Sequence, residues 1–396
     1  MSVHLERRKL AVCIALLCFF SASTQFPAMK AQAGSNAIAS SIPTADRLQR
    51  PGWWPTKGDP PRDSYSGSES CASCHAAITA SYKNMAMSHA SERTADSEPL
   101  RKHRELTFQL DAYKYSVLTN ANKTLYSVSN GTQTLLQEPE WAFGAGHMGM
   151  TFVYQRDGDF YESHLSYYSA IDGLDITTGH DRGVPPDLQH AAGRHIYLPG
   201  TRHCFGCHTT ASVASNKFDP AKLYQGVTCE ACHGPGADHV AAEEAGMPEA
   251  PALVFNPGRL NRVDAVDFCG ACHRSTADVI DGNFVDIGVM NVRFQPYRLQ
   301  QSQCWEKGDG RLTCTSCHDP HKPLRHYASD YDAACLRCHL ANPRAQPTPE
   351  RPNAACKVGT KECTSCHMPK YEIPGAHSSF ADHRIRVVRA GETYPN

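Results

Sequence analysis

Apolar and polar residues alternate in the middle of the chain, between residues 105 and 180. The alternation runs from Phe108 to Leu118, and further apolar runs flank Asn130-Gly131 and Asp157-Gly158. Alternation with a period of two is typical of half-buried strands, and both dipeptides are typical of type I′ hairpin turns. The pattern predicts a small antiparallel β unit, contained in an insert over residues 105–200.

The first 33 residues have the pattern of an export signal. A basic segment, Arg7–Lys9, precedes the eleven apolar residues Leu10–Phe20, a run too short to span a bilayer. Ala31–Ala33 forms a cleavage motif. We expect a signal peptide over 1–33 that is cleaved before Gly34, a mature chain without a membrane span, and a periplasmic or extracellular location. The alternative is a retained membrane anchor.

The sequence Cys-x-x-Cys-His occurs seven times, and every Cys-x-x-Cys in the chain is followed by His. Only 21 of 396 residues are His, which excludes chance, and a zinc site does not require His at that one offset. The motif attaches c-type haem through two thioethers, and its His binds the iron. We therefore expect seven covalently bound c-type haems. The residues are Cys71, Cys74, His75; Cys204, Cys207, His208; Cys229, Cys232, His233; Cys269, Cys272, His273; Cys314, Cys317, His318; Cys335, Cys338, His339; and Cys363, Cys366, His367.

The motifs divide the chain unevenly. Residues 34–67, rich in Ser, Pro, Gly and Ala, predict an extended leader; 68–104 hold one motif, 105–200 hold none, and 201–396 hold six. Roughly thirty residues per haem is too little chain for independent hydrophobic cores. We expect a multihaem cytochrome fold, made mainly of short α-helices after the motifs and loops packed around covalent haems, with the inserted β unit.

Candidates for the second axial ligand outnumber the haems. Of 21 His, seven belong to the motifs and His4 lies in the signal. Three residues span at most ~10 Å, so His321, which follows His318 by three, must bind a neighbouring iron if it binds one. The same argument applies with less force to His239, six residues after His233. His89 and His383, which follow the first and last motifs, complete the expected distal set. A second set stays open between ligands and ordinary polar residues: His147, His180, His195, His203 and His377.

Two cysteines, Cys304 and Cys356, lie outside the motifs and the signal. An even pair in an oxidising compartment is compatible with a disulfide. Two separate buried thiols are the alternative.

The net charge bears on the choice of partners. Removing residues 1–33 takes away four basic residues and one acidic residue, which leaves 35 basic and 39 acidic residues and a net charge of −4. This balance argues against nucleic acid and favours a basic docking face on a redox partner. The expected partners are a quinol-linked donor or other cytochromes, and the oligomeric state is open.

The chain resembles the multihaem cytochrome c superfamily, which includes tetrahaem carriers, cytochrome c nitrite reductases and hydroxylamine oxidoreductases. The resembling strings are CASCHAAITASYKNMAMSHA, GVTCEACHGPGADHV, LTCTSCHDPH and CTSCHMPK with HSSFADHRIRV. The resemblance implies distal ligation by His89, His239, His321 and His383. The Cys-x-x-Cys-Lys motif of typical nitrite reductases does not occur, and hydroxylamine oxidoreductases carry eight haems, so neither activity is transferred.

The leading hypothesis is an exported electron carrier with mostly bis-His haems. The alternative is an oxidoreductase acting on a small nitrogen or sulfur compound at one open-coordinate haem, and its catalytic residues are unknown. Two basic clusters are candidates for an anion site or for solvated surface: Arg194, His195, Arg202 and His203, and Arg293, Tyr297 and Arg298. A third hypothesis is end-to-end assembly into conducting filaments.

Overall fold

The computed structural model of the chain describes residues 60–120, 123–146, 148–214, 217–307, 310–340, 346, 355–389 and 391–395. The expected signal peptide over 1–33, most of the expected leader over 34–67 and His147 lie outside these residues. The proposed domain boundaries stay a prediction.

Strands fill most of the chain between residues 91 and 196. The strands are β1 (Ser91–Arg93), β2 (Glu105–Leu110), β3 (Tyr113–Thr119), β4 (Thr124–Ser129), β5 (Thr134–Gln137), β6 (Trp141–Gly146), β7 (Gly149–Arg156), β8 (Asp159–Tyr168), β9 (Gly173–Ile176) and β10 (Gly193–Ile196). They form a four-stranded antiparallel meander in the order β2-β3-β4-β5 and a six-stranded antiparallel sheet in the order β1-β6-β7-β8-β10, with β9 paired to β8. Short two-residue or three-residue pairs follow: β11 (Thr209–Thr210) with β14 (Tyr224–Gln225), β12 (Val213–Ala214) with β13 (Lys217–Phe218), and β15 (Lys370–Glu372) with β16 (Ser379–Ala381).

Both predicted hairpins form, but only one has the predicted turn. Asp157 and Gly158 join β7 to β8 with φ of 54° and 88°, and the flanking Arg156 and Asp159 are paired. Positive φ at both central residues is the mark of a type I′ turn. At the other hairpin the loop is longer, because the Asn130 carboxamide oxygen accepts from the backbone N–H of Thr132 and Gln133 and so favours a local turn of its own.

The alternation from Phe108 to Leu118 belongs to two strands and not to one. Asp111 takes φ of 49°, and the chain reverses between Leu110 of β2 and Tyr113 of β3, which are paired. Asp tolerates this left-handed conformation better than most side chains. The apolar positions change from even to odd numbers between Ala112 and Tyr113, and this change of phase marks the break between the two strands.

The six-stranded sheet is buried on both faces. Successive residues of β7 point to opposite sides: Phe152 and Tyr154 belong to a core shared with the four-stranded sheet, and Val153 belongs to a second cluster with Trp141 and Phe205. Phe205 lies between the two cysteines of the second motif and is 0% exposed. The second motif is therefore packed directly against the sheet.

The helices are short: some contain a motif, and others, such as Ala76–Tyr82 and Ala237–Glu244, follow one as predicted. Both cysteines lie in one helix in five of the seven motifs, so they sit three residues apart on the same helix face. The helices are α1 (Ser68–Cys74), α2 (Ala76–Tyr82), α3 (Glu98–Lys102), α4 (Leu188–Ala192), α5 (Leu198–His208), α6 (Cys229–His233), α7 (Ala237–Glu244), α8 (Arg262–His273), α9 (Thr276–Asp281), α10 (Gln295–Gln300), α11 (Gln303–Lys307), α12 (Asp332–Cys335) and α13 (Cys363–His367). Short 3₁₀ helices occur at Arg62–Ser64, Ala86–His89, Thr94–Asp96, Ala250–Ala252, Pro257–Arg259, Gly288–Arg293, Cys314–Ser316 and Ala328–Tyr331.

Apolar clusters are small beyond the two sheets. Three of them hold two or three buried apolar side chains each, around Phe268, around Val279 and around Ile373. Within the described residues, no helix has both the length and the apolar character needed to cross a bilayer.

Replacing Phe205 should release the second motif from the sheet. Its ring meets those of Trp141, Phe143, Phe160 and Phe218 at centroid distances of 4.9–5.6 Å. We expect Phe205→Ala to lower the free energy of unfolding by about 3–5 kcal/mol, because it leaves a cavity in a packed aromatic cluster. Urea denaturation measures the loss.

The control for this prediction is Tyr197→Ala, at a side chain that is 73% exposed. We expect that control to stay within about 0.5 kcal/mol of the parent protein. Equal effects of the two substitutions would show that the cluster does not hold the motif.

Candidate haem-binding sites

The first cysteines of different motifs meet in pairs. The two thiols of each pair lie close enough to shift each other's pKa, and both stand at the same position of their motifs. The contacts join the first motif to the third, the fourth to the fifth and the sixth to the seventh. The pairs are Cys71–Cys229, Cys269–Cys314 and Cys335–Cys363.

A buried carboxylate holds the first pair together. Glu230 lies inside the third motif and is 2% exposed. It accepts from the backbone N–H of Ser66 at 2.8 Å and of Gly67 at 2.9 Å, just before α1, and from Gly236 N–H at 2.9 Å. The carboxylate of one motif thus satisfies N–H groups at the start of the helix that carries the other motif, where helices have no internal partners.

A carboxylate also holds the last pair, Cys335–Cys363, together. Asp332, three residues before Cys335, accepts from the backbone N–H of Glu362 and of Cys363, both at 2.8 Å. The pKa of Asp332 is lowered, and the hydrogen bond from the Cys363 backbone N–H is the largest cause. Here too a carboxylate next to one motif binds the first N–H groups of the helix that carries its partner.

Contacts between the pairs make the arrangement continuous. Burial raises the pKa of Tyr82 most, and the nearby thiols of Cys232, Cys229 and Cys272 raise it further, so Tyr82 lies near both the third and the fourth motif. Burial and then Cys335 raise the pKa of Cys317, which places the fifth motif beside the sixth. The second motif joins at the fourth, where Cys207 Sγ donates to the Ala271 carbonyl at 3.6 Å.

Several motif and candidate histidines present the same nitrogen to a possible iron. In each, Nδ1 lies close to a backbone carbonyl, which can only accept, so Nδ1 carries the proton and Nε2 keeps its lone pair. Such a bond orients the ring and is the usual support for a metal-binding imidazole. The contacts are His208 to Ala90 (3.0 Å), His233 to Phe255 (2.9 Å), His239 to Ala250 (2.8 Å), His367 to Arg386 (2.7 Å) and His383 to Ala381 (3.0 Å).

Two candidate distal histidines face a motif histidine. The rings of His321 and His233 have centroids 6.0 Å apart and are inclined by 15°. Those of His383 and His318 are 6.2 Å apart and inclined by 34°. Imidazole nitrogen binds a first-row metal at about 2.0–2.1 Å, which puts two imidazoles across one ion roughly 6 Å apart between centroids. Both pairs therefore fit an iron between them.

The other two candidates are placed differently. His89 is exposed, and its Nε2 lies 2.8 Å from the Lys83 carbonyl. The helix that follows the first motif ends at Tyr82, because Met85 turns to extended φ, ψ of −80° and 142° before a single 3₁₀ turn. His239 lies on α7 with its Nδ1 bonded as described.

The structure bears on two members of the open second set. His180 has both ring nitrogens engaged, Nδ1 with His164 and Nε2 with Glu162, so neither is left for an iron. His377 Nε2 lies 2.7 Å from the Asp175 carboxylate. This contact leaves His377 Nδ1 available, and His377 stays open between a ligand and an ordinary polar residue. His195 and His203 line a cavity, and His147 is outside the described residues.

Arg298, in the second basic cluster, is already paired with a carboxylate. Arg298 and Asp382 are both fully buried and joined by two hydrogen bonds of 2.9 Å. Asp382 therefore holds the segment before His383 through its ion pair with Arg298. The His383 imidazole bonds to the Ala381 carbonyl instead. Tyr297 belongs to the apolar cluster around Val279.

No disulfide joins Cys304 to Cys356 in the structure. Cys304 is half-buried near Cys338 and Cys335, whereas Cys356 is exposed. The two cysteines are therefore separate thiols, as in the second alternative. They are not both buried, because Cys356 faces solvent.

A cavity of about 250 Å³ lies beside the second motif. It brings together the sequence-predicted Arg194, His195 and His203 with two residues that sequence reasoning missed, Glu162 and Arg274. Arg274 directly follows His273, so its position next to a motif was a usable signal. Glu162 is one more residue of an alternating strand, and nothing in the sequence distinguished it.

Removing the Glu230 carboxylate should separate the first and third motifs. We expect Glu230→Ala to lower the free energy of unfolding by about 3–5 kcal/mol, because three backbone N–H groups lose a charged acceptor together. Urea denaturation of the haem-loaded protein measures the change.

The matched control is Glu244→Ala, at an exposed position on α7. It should leave stability within about 0.5 kcal/mol of the parent. If the two variants unfold alike, the buried carboxylate does not hold the motifs together.

Comparison with known proteins gives a family match and a similar solved structure. Residues 189–234, which include the second and third motifs, match the family model described as cytochrome c554 and c-prime. No curated protein matches the chain. A solved structure titled as the outer cell wall cytochrome OcwA aligns with 82% of this chain and 80% of its own, at 14% identity and a TM-score of 0.45. With its repeated attachment motifs and the family match across two of them, the chain is a multihaem c-type cytochrome.

Proposed function

We propose that the chain is an exported heptahaem cytochrome that relays electrons through closely packed haems, most of them bis-His ligated. The contact between first cysteines of partner motifs carries this proposal. A c-type haem, when bound, supplies one-electron exchange between ferric and ferrous iron. Because each macrocycle is tethered to its cysteines, touching cysteines keep two such groups adjacent. Contacts from the first motif through to the seventh extend this adjacency along the molecule.

The histidines of the seven motifs are the proximal ligands in this proposal. We assign His321 to the iron held by His233, and His383 to the iron held by His318, on the strength of the facing rings. His89 and His239 remain proposed distal ligands, without an assigned partner. Cross-ligation by His321 would tie the third and fifth motifs together through one iron.

Location and partners follow from the sequence. The signal pattern over 1–33 supports export to the periplasm or the cell exterior, where c-type haem is attached. A mature net charge of −4 supports docking to a basic face on a quinol-linked donor or another cytochrome. Nucleic acid is not a proposed partner.

Loss of one distal ligand should be visible in the iron spin state. We expect seven haems per chain, with low-spin signals dominant in the electron paramagnetic resonance spectrum of the oxidised protein. His321→Ala should convert about one haem per chain to a high-spin form, because the iron on His233 loses a strong-field imidazole.

His326→Ala is the matched control, since His326 is an exposed histidine five residues further along. It should leave the spectrum unchanged. A His321→Ala protein with a fully low-spin spectrum would remove His321 from the ligand set, and a predominantly high-spin parent protein would count against the relay itself.

The cavity beside the second motif favours a second function, reduction or oxidation of a small nitrogen or sulfur compound. Its lining contains Arg194, Arg274 and two histidines against one carboxylate, Glu162. Such a surplus of cationic groups suits an oxyanion. The volume of about 250 Å³ is ample for one.

Turnover assays with a reduced viologen donor test this second function. Nitrite, hydroxylamine and tetrathionate are the substrates to supply. For any compound turned over at the cavity, Arg274→Ala should lower kcat/KM by roughly tenfold or more, because an anion-binding group is lost. Arg259→Ala, at an exposed position, is the control. Fully reduced protein that is not reoxidised by any of the three would exclude the function for these substrates.

A further inference from the structure

Three titratable side chains lie in a row that ends at the cavity beside Cys204. His164 Nδ1 is 3.3 Å from His180 Nδ1, and His180 Nε2 is 3.1 Å from Glu162 Oε2. Glu162 and His164 both lie on β8, and His180 contacts the side chains of both. Glu162 also lines the cavity together with Cys204. The row therefore connects a buried histidine with the site of haem attachment.

The protons in this row have one consistent arrangement while both histidines are neutral. Burial opposes ionisation of Glu162, but His180 and Arg194 outweigh it and lower the pKa of Glu162, so Glu162 is a carboxylate that can only accept. His180 Nε2 must then donate to it, which leaves His180 Nδ1 as an acceptor. His164 Nδ1 donates to that atom. His164 Nε2 is consequently a bare lone pair.

That lone pair is an anomaly for a structural residue. His164 is 5% exposed, and its Nε2 has no hydrogen-bond partner among the described residues. An unsatisfied buried acceptor costs about 1–3 kcal/mol, and an apolar residue would avoid this cost. A proton is the group that would satisfy it.

Adding one proton changes only N–H bonds. A proton bound at His164 Nε2 is accompanied by transfer of the His164 Nδ1 proton to His180 Nδ1. The positive charge then rests on His180, which is hydrogen-bonded to the Glu162 carboxylate on one side and to neutral His164 on the other. Burial and the neighbouring His180 lower the pKa of His164 to about 4, so His164 does not keep the charge.

We propose that the Glu162–His180–His164 row binds one proton from water when one electron from a low-potential donor protein enters the haem tethered at Cys204. The proposal rests on the proposed function, because it requires that haem. The balance is one electron gained by ferric iron and one proton gained by the row, so the net charge of the site does not change. Keeping it constant avoids the large electrostatic cost of adding charge inside a poorly solvated region.

The row is close enough to the attachment site to sense its charge. After burial, the Glu162 charge is the next contribution that raises the pKa of Cys204, to about 12. Other charged or titratable groups also face the row, from several elements, and set its proton affinity. They are Tyr115 on β3, Asp181 beside His180, Arg194 on β10, and Arg293.

The experiment is proton uptake on reduction of the intact, haem-loaded protein, with a spectroelectrochemical titration between about pH 5 and pH 8, where histidine titrates. Uptake of protons and a fall of midpoint potential with rising pH are two readouts of the same linkage. We expect His180→Gln to take up fewer protons than the parent, by up to about one per chain. Glu162→Gln should retain uptake but shift it to lower pH, because the stabilising negative charge is gone.

The matched control is His103→Gln, because His103 also pairs with a carboxylate, Asp172 at 2.9 Å, but does not line the cavity. It should behave like the parent. Unchanged uptake in His180→Gln, or equal loss in His103→Gln, would overturn the proposal. The haem content and the number of electrons accepted per chain test the proposed function separately. If the parent protein bound fewer than seven haems or accepted fewer than seven electrons, the relay would be refuted, whatever the pH dependence of proton uptake.

Discussion

Contact between the first cysteines of partner motifs is the constraint on which the rest of the molecule depends. These residues are far apart in sequence, and each pair needs its own means of being held together. Glu230 and Asp332 provide it in two pairs, since each carboxylate accepts backbone N–H groups at the beginning of the partner's helix. One interaction thus satisfies helix ends that would otherwise lack partners and fixes the register between two motifs.

The two sheets give the molecule the hydrophobic core that its motif-rich part lacks. Side chains of both sheets share one core, and the opposite face of the six-stranded sheet receives Phe205 of the second motif. Beyond the sheets, the apolar clusters contain only a few buried side chains each among the described residues. Large apolar clusters are thus confined to the sheets. The motif-rich part has too few residues per motif to form its own core, so covalently bound groups are expected to provide much of its buried surface.

The surroundings of the second motif differ from those of the paired ones. Its first cysteine borders a cavity with Arg274 and Glu162, and Glu162 leads on to two buried histidines. Charge is therefore concentrated at one attachment site, although it is balanced over the chain as a whole. In a poorly solvated region such groups act strongly on any neighbouring change of charge.

The sequence by itself determined what depends on neighbouring residues. It predicted the haem-attachment motifs, the turn at Asp157-Gly158, and that His321 would not reach an iron held by its own motif, since all three follow from local geometry. Tertiary structure decided which motif meets which, that His321 faces His233, that Arg298 is locked to Asp382, and that Glu162 opens on the cavity. Those relations join positions many residues apart, and a residue's type and spacing contain no record of the distant group that will pack against it.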